Sequence, residues 1–249
     1  MTKGMRNGKR ALVTGSSRGI GRAIALALAG DGYELVVHCA GNREKAEETK
    51  TLIESQGGAA QVLSADLRNP EEVRALSMQM GDIDVLVLNA SIQIRKPWLE
   101  ITLEEYEAQM NCNFLASMLL IQAAAPHMKA QKWGRIVTIG SVQEAKPHPD
   151  MLIYSSAKAA QTMMVRSLAL QLAEDGITVN NVAPGVICTD RNVEALSDAD
   201  YAKKVAASIP LGYYGEAEDC AGIVSLLCSE QGRYITGQSI YVDGGKSVQ

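Results

Sequence analysis

Residues 14–21 read Thr14-Gly15-Ser16-Ser17-Arg18-Gly19-Ile20-Gly21. Leading into them, Lys9-Arg10-Ala11-Leu12-Val13-Thr14 is a short apolar run, readable as a buried strand. Just after, Ile20, Ala23, Ile24, Ala27 and Leu28 recur at the spacing of an amphipathic helix. Strand, glycine turn, helix is the setting in which a glycine pattern reads as a dinucleotide-binding turn. Gly15 permits the tight turn, Gly19 lets a phosphate approach the backbone, and Gly21 lets the helix pack close to the sheet. The turn residues Ser17, Arg18 and Ile20 then sit at a helix N-terminus, where N–H groups face a pyrophosphate.

Working outward, apolar strand candidates alternate with helical patterns along the whole chain. Strands are predicted at 10–14, 34–39, 60–65, 83–89, 134–140, 177–182 and 238–242. Helices are predicted near 19–30, 42–56, 70–80, 103–131, 152–175 and 216–229, with Gly176 capping the penultimate one. This alternation predicts an α/β protein: a Rossmann-type, doubly wound, seven-stranded parallel sheet with helices on both faces. Ligands of such sheets bind at the carboxyl ends of the strands, where the strand order reverses. Pro126 is predicted to kink the long 103–131 helix. No repeat or linker divides the chain, so residues 1–249 are read as one dinucleotide-binding domain. The least regular part, 186–212, is read as a substrate lid.

A second constellation lies in the last third. Tyr154 and Lys158 stand four apart in Tyr154-Ser155-Ser156-Ala157-Lys158, on one face of the predicted 152–175 helix. Ser141 lies thirteen residues upstream, at the end of the strand-like run Gly134–Gly140. A phenol with a pKa of about 10 exchanges protons poorly near neutrality. A neighbouring ammonium favours the phenolate and lowers that value. A serine hydroxyl beside it can hold a substrate oxygen while the phenol gives or takes the proton.

With these residues in place the chain resembles the short-chain dehydrogenase/reductase family from end to end. The resemblance runs through Thr14-Gly15-(x)3-Gly19-Ile20-Gly21, Asp66, Asn89-Ala90, Asn113, Ser141, Tyr154, Lys158, Pro184-Gly185 and Val242-Asp243-Gly244-Gly245. It implies interconversion of a carbonyl and a secondary alcohol by hydride transfer with a nicotinamide cofactor. Tyr154 would be the general acid/base. Lys158 would lower its pKa and bind the nicotinamide ribose. Ser141 would position the carbonyl, and Asn113 would hold a water linking Lys158 to solvent. Asp66, with Leu67 beside it, would contact the adenine, and Asn89 and Ala90 would lie near the adenosine ribose. Pro184, Gly185, Ile187 and Thr189 complete the implied cofactor site. Where the family usually has Asn-Ala-Gly, this chain has Asn89-Ala90-Ser91, a local variation beside the cofactor. The resemblance also implies a homotetramer, joined through the 103–131 and 152–175 helices and through residues near 216–245.

Cofactor choice turns on the second strand. NAD recognition calls for a carboxylate near its end, yet Val36-Val37-His38-Cys39-Ala40-Gly41-Asn42-Arg43 holds none. Arg43 and Arg18 instead suit a 2′-phosphate, so NADP(H) is expected, with NAD(H) possible. The substrate pocket is expected to involve Gln93, Arg95, Gln143 and His148. The loop Asn89–Pro97 resembles gluconate 5-dehydrogenase and related sugar-acid or polyol dehydrogenases, which implies a small polar substrate. The alternative branch, the 3-oxoacyl-carrier-protein reductases, carries basic residues to dock an acidic carrier. Here the matching places hold Lys132 but Asp175, an inverted charge. A halohydrin-dehalogenase-like lyase would lose the lysine and the glycine turn, and a non-catalytic cofactor sensor would lose the tyrosine or lysine. Both sets are present.

Composition excludes other classes. A net charge of −4 argues against nucleic-acid or anionic-membrane partners. The five cysteines are scattered and form no C-x-x-C pair, which suits reduced thiols in the cytoplasm. Met1 to Arg10 lacks the apolar core of a signal peptide, and Phe114 to Pro126 is too short to span a bilayer. His38, His127 and His148 have no partners at ligand spacing, so no metal is expected and each is read as a surface or pocket residue.

Overall fold

The computed structural model describes residues 8–190 and 192–249, so most of the segment read for a signal peptide lies outside the described residues. Seven strands form one sheet: β1 (Arg10–Val13), β2 (Glu34–Cys39), β3 (Ala60–Ser64), β4 (Val85–Leu88), β5 (Gly134–Ile139), β6 (Ile177–Pro184) and β7 (Ser239–Val242). Their order is β3-β2-β1-β4-β5-β6-β7 and every pairing is parallel. The chain therefore runs outward from β1 to β3, returns, and leaves from β4 in the other direction. The reversal lies between β1 and β4, where Val13 is opposite Val87. A crevice opens above that point.

Helices cover both faces: α1 (Gly19–Gly30), α2 (Arg43–Ser55), α3 (Pro70–Gln79), α4 (Leu103–Met110), α5 (Ala116–Gln131), α6 (Leu152–Leu172), α7 (Val193–Leu196), α8 (Ala199–Ala207) and α9 (Ala217–Cys228). The strand period of two sends alternate side chains to opposite cores. Ala11, Val13, Val85 and Val87 pack with Ile24 and Leu28 of α1 and Val224 and Leu227 of α9. Leu12, Leu86 and Leu88 pack with Leu76 of α3, Leu120 of α5 and Val165 of α6. Because both faces are covered, strands such as Val85-Leu86-Val87-Leu88 are apolar throughout. Each such fully buried side chain contributes roughly 1.5–3 kcal/mol.

Two expectations are corrected. The predicted helix 103–131 is helical throughout but not α-helical throughout: a π-helical turn, Asn111–Leu115, lies between α4 and α5. Pro126 lies inside an uninterrupted α5. The π turn occurs where Asn113 turns to the loop after β4: its Oδ1 accepts from the Ile92 N–H (3.0 Å) and its Nδ2 donates to the Ile92 carbonyl (2.9 Å). A side chain drawn out of register in this way accommodates the extra residue of a π turn. The segment 186–212 is also more regular than expected, since it contains α7 and α8. Asp198 caps α8, its Oδ1 accepting from the Asp200 and Tyr201 N–H groups.

No described helix is long and apolar enough to cross a membrane. Among the described residues, no cluster of three or more His, Cys, Asp or Glu side chains is placed to hold a metal ion. None of the five cysteines is in a disulfide, and burial pushes the Cys220 and Cys228 thiols up to about 12.

Candidate active site

A cleft of about 1160 Å³ lies over the carboxyl ends of the strands. Its floor is the glycine turn. Gly15 and Gly19 have φ of +64° and +54°, the left-handed region that other residues rarely adopt. A Cβ on Gly21 would run into the Gly15 carbonyl and the Asn89 amide. That close approach leaves room for Asn89 Nδ2 to donate to the carbonyls of Thr14 (2.9 Å) and Gly15 (3.1 Å). Asn89 thus braces the turn as well as lining the cleft.

Sequence reasoning missed two further braces. His38 is buried at the end of β2, its Nδ1 accepting from the Gly15 N–H at 3.0 Å and its Nε2 lying 3.1 Å from the Ala65 carbonyl. Those partners define a neutral ring with the proton on Nε2. Burial lowers its pKa to about 4. Arg22 donates to the Ser17 carbonyl through Nε (3.0 Å) and Nη2 (2.6 Å). His38 was read as a surface or pocket residue. The only available signal was its place in an otherwise apolar strand.

The cationic side of the cleft differs from expectation. Arg18 lines it, but Arg43 does not. Arg43 pairs with Glu47 one turn along its own helix, at 3.2 Å. Lys45, which like Arg43 lies outside the cleft lining, meets Arg18 at Asp190: both reach Asp190 Oδ2. Asp66 lines the cleft, with its carboxylate engaged by Arg68 (Nε–Oδ1 2.9 Å), which holds it below the usual carboxylate range. Leu67, Ala90, Pro184, Gly185, Ile187 and Thr189 also face the cleft.

Ser141 and Tyr154 line the same cleft and are almost wholly buried. Ser141 Oγ accepts from the Gln143 N–H at 3.2 Å, which leaves its O–H to donate elsewhere. Lys158, one turn of α6 beyond Tyr154, is buried. Its Nζ donates to the Ile139 carbonyl at 2.6 Å and lies 5.7 Å from the Tyr154 ring centre. Gln161 continues this chain, accepting from Lys158 at 3.5 Å and donating to Ser117 Oγ at 3.0 Å. Asn113 is fully buried, with its side chain committed to Ile92.

Gln93, Arg95, Gln143 and His148 all line the mouth. Gln143 is tied down at both ends, donating to Met151 Sδ and accepting from Ser155 Oγ. His148 Nδ1 accepts from the Asp150 N–H at 3.1 Å. Arg95 is exposed and makes no hydrogen bond or ion pair with a described residue. Lys146 and Lys246, which the sequence did not single out, add positive charge at the same mouth.

A family model described as enoyl-(acyl carrier protein) reductase, of the short-chain dehydrogenase type, matches residues 15–247. The chain belongs to the short-chain dehydrogenase/reductase family. It is an oxidoreductase of that family. It is 39% identical over 245 residues to a 3-oxoacyl-[acyl-carrier-protein] reductase of Staphylococcus aureus, covering 97% of this chain and 99% of that one. Among solved structures, a 3-oxoacyl (acyl-carrier-protein) reductase of Agrobacterium tumefaciens with NADP bound superposes with a TM-score of 0.92. Identity is 34%, and coverage is 98% of this chain and 96% of that one. A gluconate 5-dehydrogenase of Burkholderia cenocepacia in complex with NADP and tartrate gives a TM-score of 0.90 at 32% identity, covering 99% and 98%.

Proposed function

We propose that the chain is an NADP(H)-preferring enzyme that interconverts a carbonyl and a secondary alcohol on a small polar substrate such as a sugar, sugar acid or polyol. The observation that carries the substrate class is Arg95, a guanidinium with no partner among the described residues, at a mouth that also holds His148, Lys146 and Lys246. A guanidinium can bind a carboxylate through two parallel hydrogen bonds and so fix its orientation.

The residues present fit a dinucleotide. The left-handed glycines open a backbone cradle at the N-terminus of α1, and Arg18 and Lys45 offer charge for a 2′-phosphate. Once bound, the nicotinamide gives or accepts the hydride. Ser141 donates its free O–H to the substrate oxygen. Tyr154 gives that oxygen its proton in reduction and takes it back in oxidation. Lys158 holds positive charge beside the phenol, favouring its ionised form. Gln161 and Ser117 extend from Lys158 as a polar path for proton return. Asn113 fixes the loop after β4 with its side chain, so the water-holding role falls to its main chain.

The carrier-dependent reading is favoured by the 39% identical Staphylococcus aureus reductase. Against it, Lys132 donates to Asp175 at 2.6 Å and Lys129 lies 3.3 Å from the same carboxylate. Asp175 cancels the charge an acidic carrier would meet, and lost complementarity slows encounter. The test compares turnover of keto-gluconates and polyols with that of acetoacetyl thioesters, repeated on Arg95→Ala. Sugar-acid turnover that falls at least tenfold in Arg95→Ala is expected. Faster thioester turnover, indifferent to Arg95, would establish the carrier reading.

Exposed apolar side chains on α4 and α6, among them Leu103, Met163 and Leu170, support the homotetramer. The mostly buried cysteines, none of them in a disulfide, suit the cytoplasm.

A further inference from the structure

Two cations from separate elements converge on one oxygen. Arg18 Nη1, in the glycine turn, lies 3.5 Å from Asp190 Oδ2. Lys45 Nζ, in the first turn of α2, lies 3.4 Å from the same atom. Asp190 follows Thr189 in the loop after β6 and lines the cleft together with Arg18. A Cβ on Gly19 would touch Thr189 at 3.4 Å, so this loop rests directly on the glycine turn. Two like charges held around one point stabilise negative charge there. The end of β2 supplies no carboxylate of its own. The anion beside the cofactor cradle instead arrives from the far side of the sheet.

The geometry points to Asp190 as an internal stand-in for the cofactor's 2′-phosphate: its carboxylate occupies Arg18 and Lys45 in the free protein, and the phosphate takes its place on binding. The inference rests on the NADP(H) reading above and adds a residue that opposes it. All three side chains are partly exposed, so each ion pair is weak. A phosphomonoester carries about −1.5 to −2 charges and three acceptor oxygens, enough to displace a single carboxylate. The displaced Asp190 stays tethered nearby and repels the newcomer. Asp190 therefore lowers affinity for NADP(H) and leaves NAD(H) untouched, which narrows the preference set by Arg18 and Lys45. Arg43 pairs instead with Glu47 on its own helix, at 3.2 Å.

Calorimetric titration with adenosine 2′,5′-bisphosphate and with adenosine 5′-monophosphate tests this without catalysis. The proteins are the wild type, Asp190→Asn, Lys45→Ala and the double variant. Asp190→Asn is expected to bind the bisphosphate about threefold to tenfold more tightly, from the usual strength of exposed ion pairs. Binding of the monophosphate should not change, and the gain should shrink in the Lys45→Ala background. Unchanged or weaker bisphosphate binding by Asp190→Asn would overturn the inference. So would weaker monophosphate binding, which would mean that the carboxylate accepts from the ribose 2′-hydroxyl. The NADP(H) reading is judged separately, by whether the wild type prefers the bisphosphate.

Discussion

At the residue scale, the site depends on groups whose roles follow from their neighbours. The convergence of Ser141 and Tyr154 on one cleft, with Lys158 beside the phenol, was legible because their spacing and order are informative in one dimension. His38 and Lys45 were not, because their partners lie 23 and 145 residues away in the chain. Arg43 lies close to the turn in sequence, and its pairing with Glu47, four residues along α2, is equally local. His38 yields a pH prediction. Its folded pKa of about 4 lies below the ordinary 6.5, so the unfolded chain takes the proton first. Stability from this residue is full above about pH 6.5 and declines as pH falls towards 4. At pH 5 the loss approaches 2 kcal/mol. In His38→Gln the drop in urea midpoint between pH 7 and pH 5 should be smaller than in wild type. An identical drop would remove His38 from the account.

At the element scale, the strands were legible because buried parallel strands are continuous apolar runs bounded by turn residues. The π turn at Asn111–Leu115 was not, since the helical periodicity of 103–131 hardly changes when one extra residue is accommodated. Its cause, the Asn113–Ile92 pair, is a contact between elements. Asn113→Ala should therefore cost about 1–3 kcal/mol of stability by leaving the Ile92 backbone unpaired, read as a lower urea midpoint together with reduced turnover. A wild-type midpoint would mean that the π turn holds itself. The glycine turn makes a sharper claim. In Gly21→Ala the new methyl meets the Gly15 carbonyl and the Asn89 amide. Overpacking of this kind costs about 1–3 kcal/mol, so NADPH affinity measured by fluorescence titration should fall about fivefold to a hundredfold. Unaltered affinity would show that the turn yields without cost.

At the scale of the whole molecule, one sheet places the dinucleotide cradle at its β1/β4 reversal and sets the Ser141, Tyr154 and Lys158 set beside it, on β5 and α6. Helices α4 and α6 leave the apolar side chains Leu103, Tyr106, Met163 and Leu170 exposed, as helix faces that pair with another copy would be. Light scattering at micromolar concentration should give four times the 26.7 kDa chain mass; a monomer would refute the assembly. The central claim is that this cleft performs carbonyl–alcohol chemistry with Tyr154 carrying the proton. It is tested most directly by following reduced-nicotinamide absorbance over a panel of small polar carbonyls, for wild type and Tyr154→Phe, with NADPH binding measured on both. Wild type should turn over members of the panel. Tyr154→Phe should lose about 10²–10⁴ in rate while binding NADPH as before. Equal turnover by the two proteins, or none by wild type across the panel, would contradict it.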